Sequence, residues 1–375
     1  MFFLEFLQYL KEFTFIENVG LDDSVDIINY KVSVVLLLLF TSFVSLHQYV
    51  LSPISCFVNN QIGGSNADGY LQNMCWTEGL YPMNFSRTVP TNDKGWNDIS
   101  NQVLTYYQWV PMVLSLQAVV YTFPWIFWQL LNSSISGVNF TDILCKARSS
   151  HLLIKEARKR YVQSIGNQII LLIIMKEKMK RKYLIYSYLI IKILYIGVNC
   201  FQLVIIYYFL GFNRKDSYVK FGEKLVFDLI GGKLHETEIF PRNGMCRHKY
   251  EQLGSINYMF LQCALPINMI NVNIYIFLYF YIICILTISI YSFMDWLIFF
   301  KINDSFQWKL RNKIVADSTL KDKYFDKFYK EFLKIDGCFV LKMLISNSGS
   351  MIGEEIVNYI FNDFVNNYNN YILTT

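Results

Sequence analysis

The sequence predicts an all-α membrane protein with four transmembrane helices, and three observations support this fold class. Of the 375 residues, 54% are hydrophobic and only 17% are charged, whereas soluble domains carry about 25% charged residues. Four apolar stretches reach or approach the roughly 20 residues that cross a hydrocarbon core of about 30 Å. One loop between them is strongly basic, as cytosolic loops are. A soluble fold would instead need four long buried helices with almost no polar face.

The apolar stretches divide the chain into nine segments. The spans are nearly free of charge, and Lys192 and Asp295 lie near the ends of theirs. We expect the amine of Lys192 to reach the headgroups at the cytosolic end of its span. The predicted spans are 32–50, 106–131, 183–212 and 271–300, the loops are 51–105, 132–182 and 213–270, and the terminal segments are 1–31 and 301–375.

The N-terminal segment does not have the pattern of a signal peptide. Residues 1–31 carry six acidic residues against two basic ones. No small-residue cleavage site follows a basic start. We therefore expect the first span to remain in the protein.

Charge predicts which loops face the cytosol. Residues 132–182 carry eleven Lys or Arg against three acids, whereas Arg87 and Lys94 are the only bases of residues 51–105. By the positive-inside rule the first of these loops is cytosolic and the second is extracellular. With four spans, both termini then lie in the cytosol. The loop 213–270, with eight bases and six acids, supports this orientation less clearly.

Cysteines are distributed evenly between the two predicted extracellular loops. Cys56 and Cys75 lie in the first and Cys246 and Cys263 in the second. Two pairs on an oxidising side predict two disulfides. Four cysteines allow three pairings, and spacing alone does not choose among them. Cys246 with His248 is the nearest approach to a metal motif, and disulfide use of Cys246 excludes it, so we expect no metal site.

Motifs of enzymes, cofactor sites and nucleic-acid sites are lacking. The GG pairs at 63–64 and 231–232 have neither the spacing nor the lysine of a phosphate-binding loop. No nucleophile elbow occurs, and the charges near span ends do not suggest a buried relay. We expect no cofactor and read the basic loop as a solvated helix rather than an RNA site. A passive pathway or an interaction protein is therefore favoured over an enzyme.

The C-terminal segment predicts a folded helical tail. Residues 301–375 carry ten basic and nine acidic residues, a balance that suits a folded domain. Four apolar side chains recur there at helical spacing and predict a face that packs on a neighbouring helix, with an interruption at Gly337. They are Phe325, Phe328, Phe332 and Ile335.

Five short motifs occur in order along the chain. They are "SPISC" at 52–56, "CWTEGLY" at 75–81, "YYQWV" at 106–110, "FPRNGMC" at 240–246 and "QCALPINMINVNIYIFLYFY" at 262–281. Together with the tail "FLKIDGCFVLKMLISNSG" they resemble the innexins, the gap-junction proteins of invertebrates. The resemblance extends from the first span to near the C-terminus. One departure is Leu51 and Ser52, where the family usually has a glycine before its Pro-Ile-x-Cys motif.

The resemblance implies a subunit of a large-pore channel. By this resemblance the protomers form a ring of about eight subunits, called a hemichannel. Two hemichannels dock between cells as a gap junction, or a hemichannel stays unpaired, and either passes ions and small metabolites. The chain would lie in the plasma membrane among its lipids, as a homo-oligomer or with other innexins. By the same resemblance, the disulfides join Cys56 to Cys263 and Cys75 to Cys246.

The resemblance also suggests a role for the first residues. "FFLEFLQYL" can be written as a short helix with Phe2, Phe6 and Tyr9 roughly on one side and the polar residues on another. In a pore helix the aromatic side would pack on the first span and the polar side would face water. The alternative is a cytosolic helix that lies on the membrane. The predicted pore-lining residues are Phe2, Phe3, Glu5 and Gln8.

The motif "YYQWV" opens the second span. Tyr106, Tyr107 and Trp109 predict an aromatic belt at the headgroup level, where rings with a polar end are favoured. Val110 begins the apolar run that follows. Because a belt does not explain Gln108, we expect its amide to bond within the protomer or to a neighbour.

Two functional questions stay open at this point. Asn84 begins an Asn-Phe-Ser acceptor for glycosylation, and a glycan there would obstruct docking. A four-span adhesion or scaffold protein without conduction is the main alternative to a channel. A membrane-embedded enzyme is a further one, and the spans supply few charges for it.

Overall fold

The structure is a computed structural model, and most of the chain that it describes is helical. It describes residues 23–58, 65–82, 103–136, 140–149, 154–178, 184–209, 240–252, 254–301, 304–314 and 324–368. In chain order the main elements are α1 (Ser24–Tyr49), β1 (Ser55–Phe57), α2 (Ser65–Glu78), β2 (Tyr81–Pro82), α3 (Val110–Ser136), α4 (Phe140–Ser149), α5 (Lys155–Lys178), α6 (Leu184–Phe209), β3 (Asn243–Gln252), β4 (Ser255–Ala264), α7 (Pro266–Lys301), α8 (Asp304–Ile314), α9 (Lys334–Ser348) and α10 (Ser350–Asn366).

Four of these helices, α1, α3, α6 and α7, are long and apolar enough to cross a membrane, which confirms the predicted fold class. The first begins earlier than the predicted span, because Asp23 caps it by accepting a hydrogen bond from the Ser24 N–H at 2.8 Å. A π-helical turn, Ile28–Val32, follows within α1. A single 3₁₀ turn, Tyr106–Trp109, leads into α3. Pro124 lies within α3, as membrane helices allow.

The chain forms two compact units. The first comprises residues 1–35, 121–198 and 285–375. Its core is built where α5 packs on α10 and α9 packs on α4 and α10. Phe325, Phe328 and Phe332 are buried there, as their spacing predicts, but Ile335 is 43% exposed. Helix α9 also continues through Gly337, so the predicted interruption is wrong.

The second unit, residues 36–120 and 199–284, contains a sheet that the sequence analysis did not predict. Its four strands are antiparallel in the order β1-β4-β3-β2. Strands β3 and β4 form a hairpin from Gln252 to Ser255, and Gly254 adopts a φ of +77° in its turn. The strands come from the two segments that link α1 to α3 and α6 to α7. The sheet therefore joins parts of the chain that are far apart in sequence.

Candidate functional site

Two disulfides hold the sheet together. Cys56 on β1 is the register partner of Cys263 on β4, with their Cα atoms 3.9 Å apart, and the two are bonded. Cys75 on α2 is bonded to Cys246 on β3, with Cα atoms 5.5 Å apart. These are the pairings that the family resemblance implies. Each bridge joins the segment after α1 to the segment before α7.

The disulfides lie side by side. The sulfur atoms of Cys56, Cys75 and Cys263 all lie within 4.8 Å of one another, the one group of three metal-type ligands in the part of the chain that the structure describes. All three sulfurs are engaged in disulfides, whereas a metal needs the free thiolate. The cluster is therefore a structural staple.

Helix α2 covers one face of the sheet and closes a small core. Leu80 and Leu261 are buried with the four cysteines. Leu80 also exchanges two backbone hydrogen bonds with Leu104, which ties the end of α2 to the approach to α3. Close packing explains Gly79, because a Cβ there would lie 2.7 Å from Val103 Cγ1 and its φ is +90°. This core fixes the position of the segment that enters α3.

The covered face also holds His248, whose partner Glu78 the sequence analysis did not predict. His248 on β3 is 5% exposed. Its Nδ1 lies 3.3 Å from Glu78 Oε1, and its ring meets the edge of Tyr70 at a centroid distance of 6.0 Å. On the opposite face of the same strand, the Arg247 guanidinium lies 4.1 Å from the centroid of the Tyr258 ring. The separation of the two side chains follows from strand alternation.

The "YYQWV" turn is bound to this core. Tyr107 is fully buried, its ring 4.7 Å from that of Trp76, and its carbonyl accepts a hydrogen bond from Gln48 Nε2 at 2.8 Å. The prediction that Tyr107 belongs to an interfacial belt is therefore wrong. Residues of the sheet and of α2 cover its ring instead. The side chain of Tyr106 lies outside the described residues.

Gln108 of the same motif has the kind of partner that we expected. Gln108 donates its amide hydrogen to the carbonyl oxygen of Trp76 on α2. This is the bond within the protomer that we expected for a polar residue in an aromatic motif. Trp109 is 57% exposed and Val110 is buried, and the place of Trp109 in an aromatic belt stays a prediction. One turn thus points residues both into the core and outward.

A second polar cluster lies in the first unit, around Lys192 on α6. This lysine is 2% exposed, so the prediction that its amine reaches the headgroups is wrong. Its Nζ lies 2.8 Å from Asp26 Oδ1, 3.4 Å from Asp23 Oδ2 and 2.9 Å from Ser292 Oγ. A buried ammonium requires such partners, because charge is costly to remove from water.

The carboxylates of this cluster are themselves satisfied. Asp26 accepts a hydrogen bond from Tyr188 OH at 2.6 Å. Asp23 accepts bonds from Ser292 Oγ at 3.0 Å and Trp296 Nε1 at 3.4 Å. Burial raises the pKa of the Asp23 carboxyl, but the Lys192 charge and these hydrogen bonds outweigh it, so its pKa lies below the ordinary value of 3.8. Asp23 is therefore an anion at neutral pH.

Five predicted site residues lie outside the described residues. They are Phe2, Phe3, Glu5 and Gln8 of the predicted pore lining and Asn84 of the glycosylation acceptor. Their roles stay predictions.

Comparison with known proteins gives one consistent result. The profile of the innexin family matches residues 22–364. Innexin-11 of Caenorhabditis elegans is 28% identical over 91% of this chain and 78% of its own length. Innexin unc-9 of the same organism is 29% identical over 92% of this chain and 93% of its own length. Innexin-19 of Caenorhabditis briggsae is 27% identical over 92% of this chain and 87% of its own length. The chain is a member of the innexin family.

Proposed function

We propose that this chain is the pore-forming subunit of a large channel in the plasma membrane. Innexins form gap-junction channels. One observation carries the proposal for this chain. Two disulfides join the segment between α1 and α3 to the segment between α6 and α7, within one sheet. A surface that must meet an identical surface on another cell benefits from being fixed before contact, because ordering it on contact would reduce affinity.

In this proposal the sheet is extracellular and both termini are cytosolic. Disulfides are stable in the oxidising environment outside the cell, and the basic residues of 132–182 favour the cytosolic side. The subunits form a closed ring of about eight, either of this chain alone or with other innexins. Docked rings act as a gap junction, and unpaired rings act as hemichannels that pass ions and small metabolites.

The pore entrance is assigned to the first residues of the chain. Phe2, Phe3, Glu5 and Gln8 line it, with Glu5 the charge in the conduction path. A charge at that position sets ion preference, so Glu5→Lys shifts the reversal potential toward that of anions. An unchanged reversal potential would instead favour a helix that lies on the membrane.

The glycosylation acceptor at Asn84 is the proposed control on pairing of the rings. A glycan on Asn84 would obstruct docking by its bulk, so enzymatic removal of N-glycans, or Asn84→Gln, should increase coupling between cells that modify the residue. The same treatment should leave hemichannel current in single cells unchanged. Loss of a mass increment in Asn84→Gln measures the modification directly.

Expression of this chain alone tests the function. Cells that lack other large-pore channels should gain a large conductance and take up a small anionic dye in proportion to the chain labelled at the surface. Silent cells with abundant surface chain would support a non-conducting adhesion or scaffold protein. Images of the purified protein provide a second test, because a channel requires a ring with an axial hole.

A further inference from the structure

The Lys192 cluster has no part in the proposed conduction path, although its construction is costly. It brings three ionisable groups together in the first unit, two of them 2% exposed or less. Asp26 belongs to the first turn of α1, and Lys192 belongs to α6. Ser292, which contacts both Lys192 and Asp23, belongs to α7. Three of the four candidate spans therefore meet at the first turn of α1.

Geometry makes this junction specific. Asp23 caps α1 while its other oxygen accepts from Ser292 and Trp296. Asp26 Oδ2 accepts a hydrogen bond from the Asp23 N–H at 3.2 Å, which completes a capping box. Both carboxylates also lie at the positive end of the α1 dipole. The same two side chains thus begin the helix and bind the lysine.

The junction extends beyond the ion pair. One turn further along α1, Asn29 Nδ2 donates to Ser289 Oγ on α7 at 2.9 Å. Trp296, which donates to Asp23, packs on the Tyr188 ring at 5.1 Å and on Phe339 of α9 at 5.4 Å. The start of α1 is therefore held on one side by α6 and α7 and connected through Trp296 to the C-terminal helices.

Removal of Lys192 would leave the carboxylate of Asp26 buried without its cation, and such a change is strongly destabilising. A buried pair of ions is also a weak source of net stability compared with apolar packing. A pair in this place is better explained by the specific position that it imposes on α1 than by stability. Residues 1–22, with the proposed pore entrance, join the chain at this helix start.

We propose that Lys192 is a positioning residue of the channel: its ion pair with Asp26 fixes the start of α1 and thereby sets the probability that the channel is open. This inference rests on the proposed function and adds a determinant to it. It assigns no charge of the cluster to the conduction path, so the conductance of a single open channel should not depend on Lys192.

Four variants test the inference. Lys192→Met removes the cation, and Lys192→Arg retains it. The double variant Lys192→Met with Asp26→Asn removes the pair without leaving Asp26 as a lone buried carboxylate. Lys309→Met, at an exposed lysine of α8, is the matched control for loss of a positive charge.

Two measurements are made on each variant. Hydrogen exchange of the backbone amides of residues 24–32 in the purified full-length protein should accelerate at least tenfold in Lys192→Met and in the double variant. Single-channel recording at equal surface level should show open probability at least threefold lower in the same two variants, with unitary conductance unchanged. Lys192→Arg and Lys309→Met should match the wild type in both measurements.

The double variant separates positioning from folding. If the pair serves only to fold the protein, the double variant should recover both surface level and wild-type open probability, and that result would overturn the inference. Unchanged exchange at residues 24–32 would overturn it as well. If Lys192→Met alone fails to reach the surface, the exchange rate and open probability of the double variant test the inference. A silent wild-type channel would refute the proposed function instead, and exchange would still decide whether Lys192 anchors α1.

Discussion

Single side chains in this protein have chemistry that depends on their burial, and Cys338 is the clearest case. It lies fully buried in α9, and burial raises the pKa of its thiol to about 12 despite a hydrogen bond with Tyr329. Only the thiolate reacts with maleimides, and at pH 7.5 less than about one thiol in ten thousand is ionised at that pKa. We expect Cys338 to remain unlabelled in the folded protein.

Mass spectrometry of the peptide that contains Cys338 measures this. The same sample treated with denaturant is the control, because it should label completely within minutes. Labelling of Cys338 in the native protein at a rate close to the denatured one would contradict the burial of the thiol.

At this scale the sequence predicts some side chains well and others poorly, for a physical reason. Gln108 could be assigned a hydrogen bond because an amide among aromatic residues needs a partner wherever it lies. Tyr107 could not be placed, since a tyrosine before a span has the same pattern whether it contacts headgroups or a folded loop. Lys192 was misplaced because its partners, Asp23 and Asp26, are more than 160 residues away in sequence.

At the scale of elements, a close approach between two helices gives a sharp prediction. On α5, a Cβ added at Gly166 would lie 2.3 Å from Cδ1 of Tyr359 on α10. Tyr359 is held there by a hydrogen bond from its hydroxyl to Asn167 Oδ1 at 2.9 Å. Gly166→Ala should therefore destabilise the protein by about 1–3 kcal/mol, although alanine favours helix by about 1 kcal/mol.

Thermal unfolding of the purified protein measures this difference. Gly69→Ala on α2 is the matched control, because nothing lies within 4 Å of its added Cβ, and it should be neutral or slightly stabilising. Equal effects of the two substitutions would show that the α5–α10 contact is looser than described.

The cap of α1 gives a second prediction at this scale. The pKa of Asp23 is lower in the folded protein than its ordinary 3.8, so its ionised form stabilises the fold above that pH. This contribution is lost as pH falls through the folded pKa. Hydrogen exchange near residues 24–27, corrected for intrinsic rates, should therefore accelerate in acid below about pH 4. In Asp23→Asn, hydrogen exchange of the same residues should already be fast at neutral pH and should depend less on acid.

The helical elements could be predicted from sequence more completely than the sheet. An apolar run of span length can satisfy its backbone in a membrane chiefly as a helix, so composition alone indicates α3 or α7. Strands β1 and β4 pair across 207 residues between Cys56 and Cys263, and no local pattern contains that pairing. The predicted first span begins later than α1 because local sequence does not show that Asp23 and Asp26 pair with Lys192.

At the scale of the whole molecule, four spans and membership of the innexin family follow from features that survive at 28% identity. Apolar length, cysteine placement and a few motifs are such features. The packing of the loops on each other cannot be predicted in this way, because it depends on contacts between residues that are distant in sequence. The two disulfides fix the long-range pairing of these loops, which local sequence does not show. They join the segment after α1 to the segment before α7 at two neighbouring points.

Those disulfides give the prediction that most directly concerns function. Cys75→Ser removes the bond to Cys246, and loss of a disulfide from a small stapled domain costs about 2–5 kcal/mol. The sheet should then loosen, and conductance between paired cells should fall at least tenfold at equal surface level. Cys200→Ser, at an exposed free cysteine, is the control and should couple cells normally. If Cys75→Ser also couples cells normally, the sheet does not need this bridge for docking.

Hemichannel current in unpaired cells separates the two ways in which Cys75→Ser could lose coupling. If the current persists while coupling is lost, the defect lies in docking. If both are lost, the defect lies in assembly of the ring.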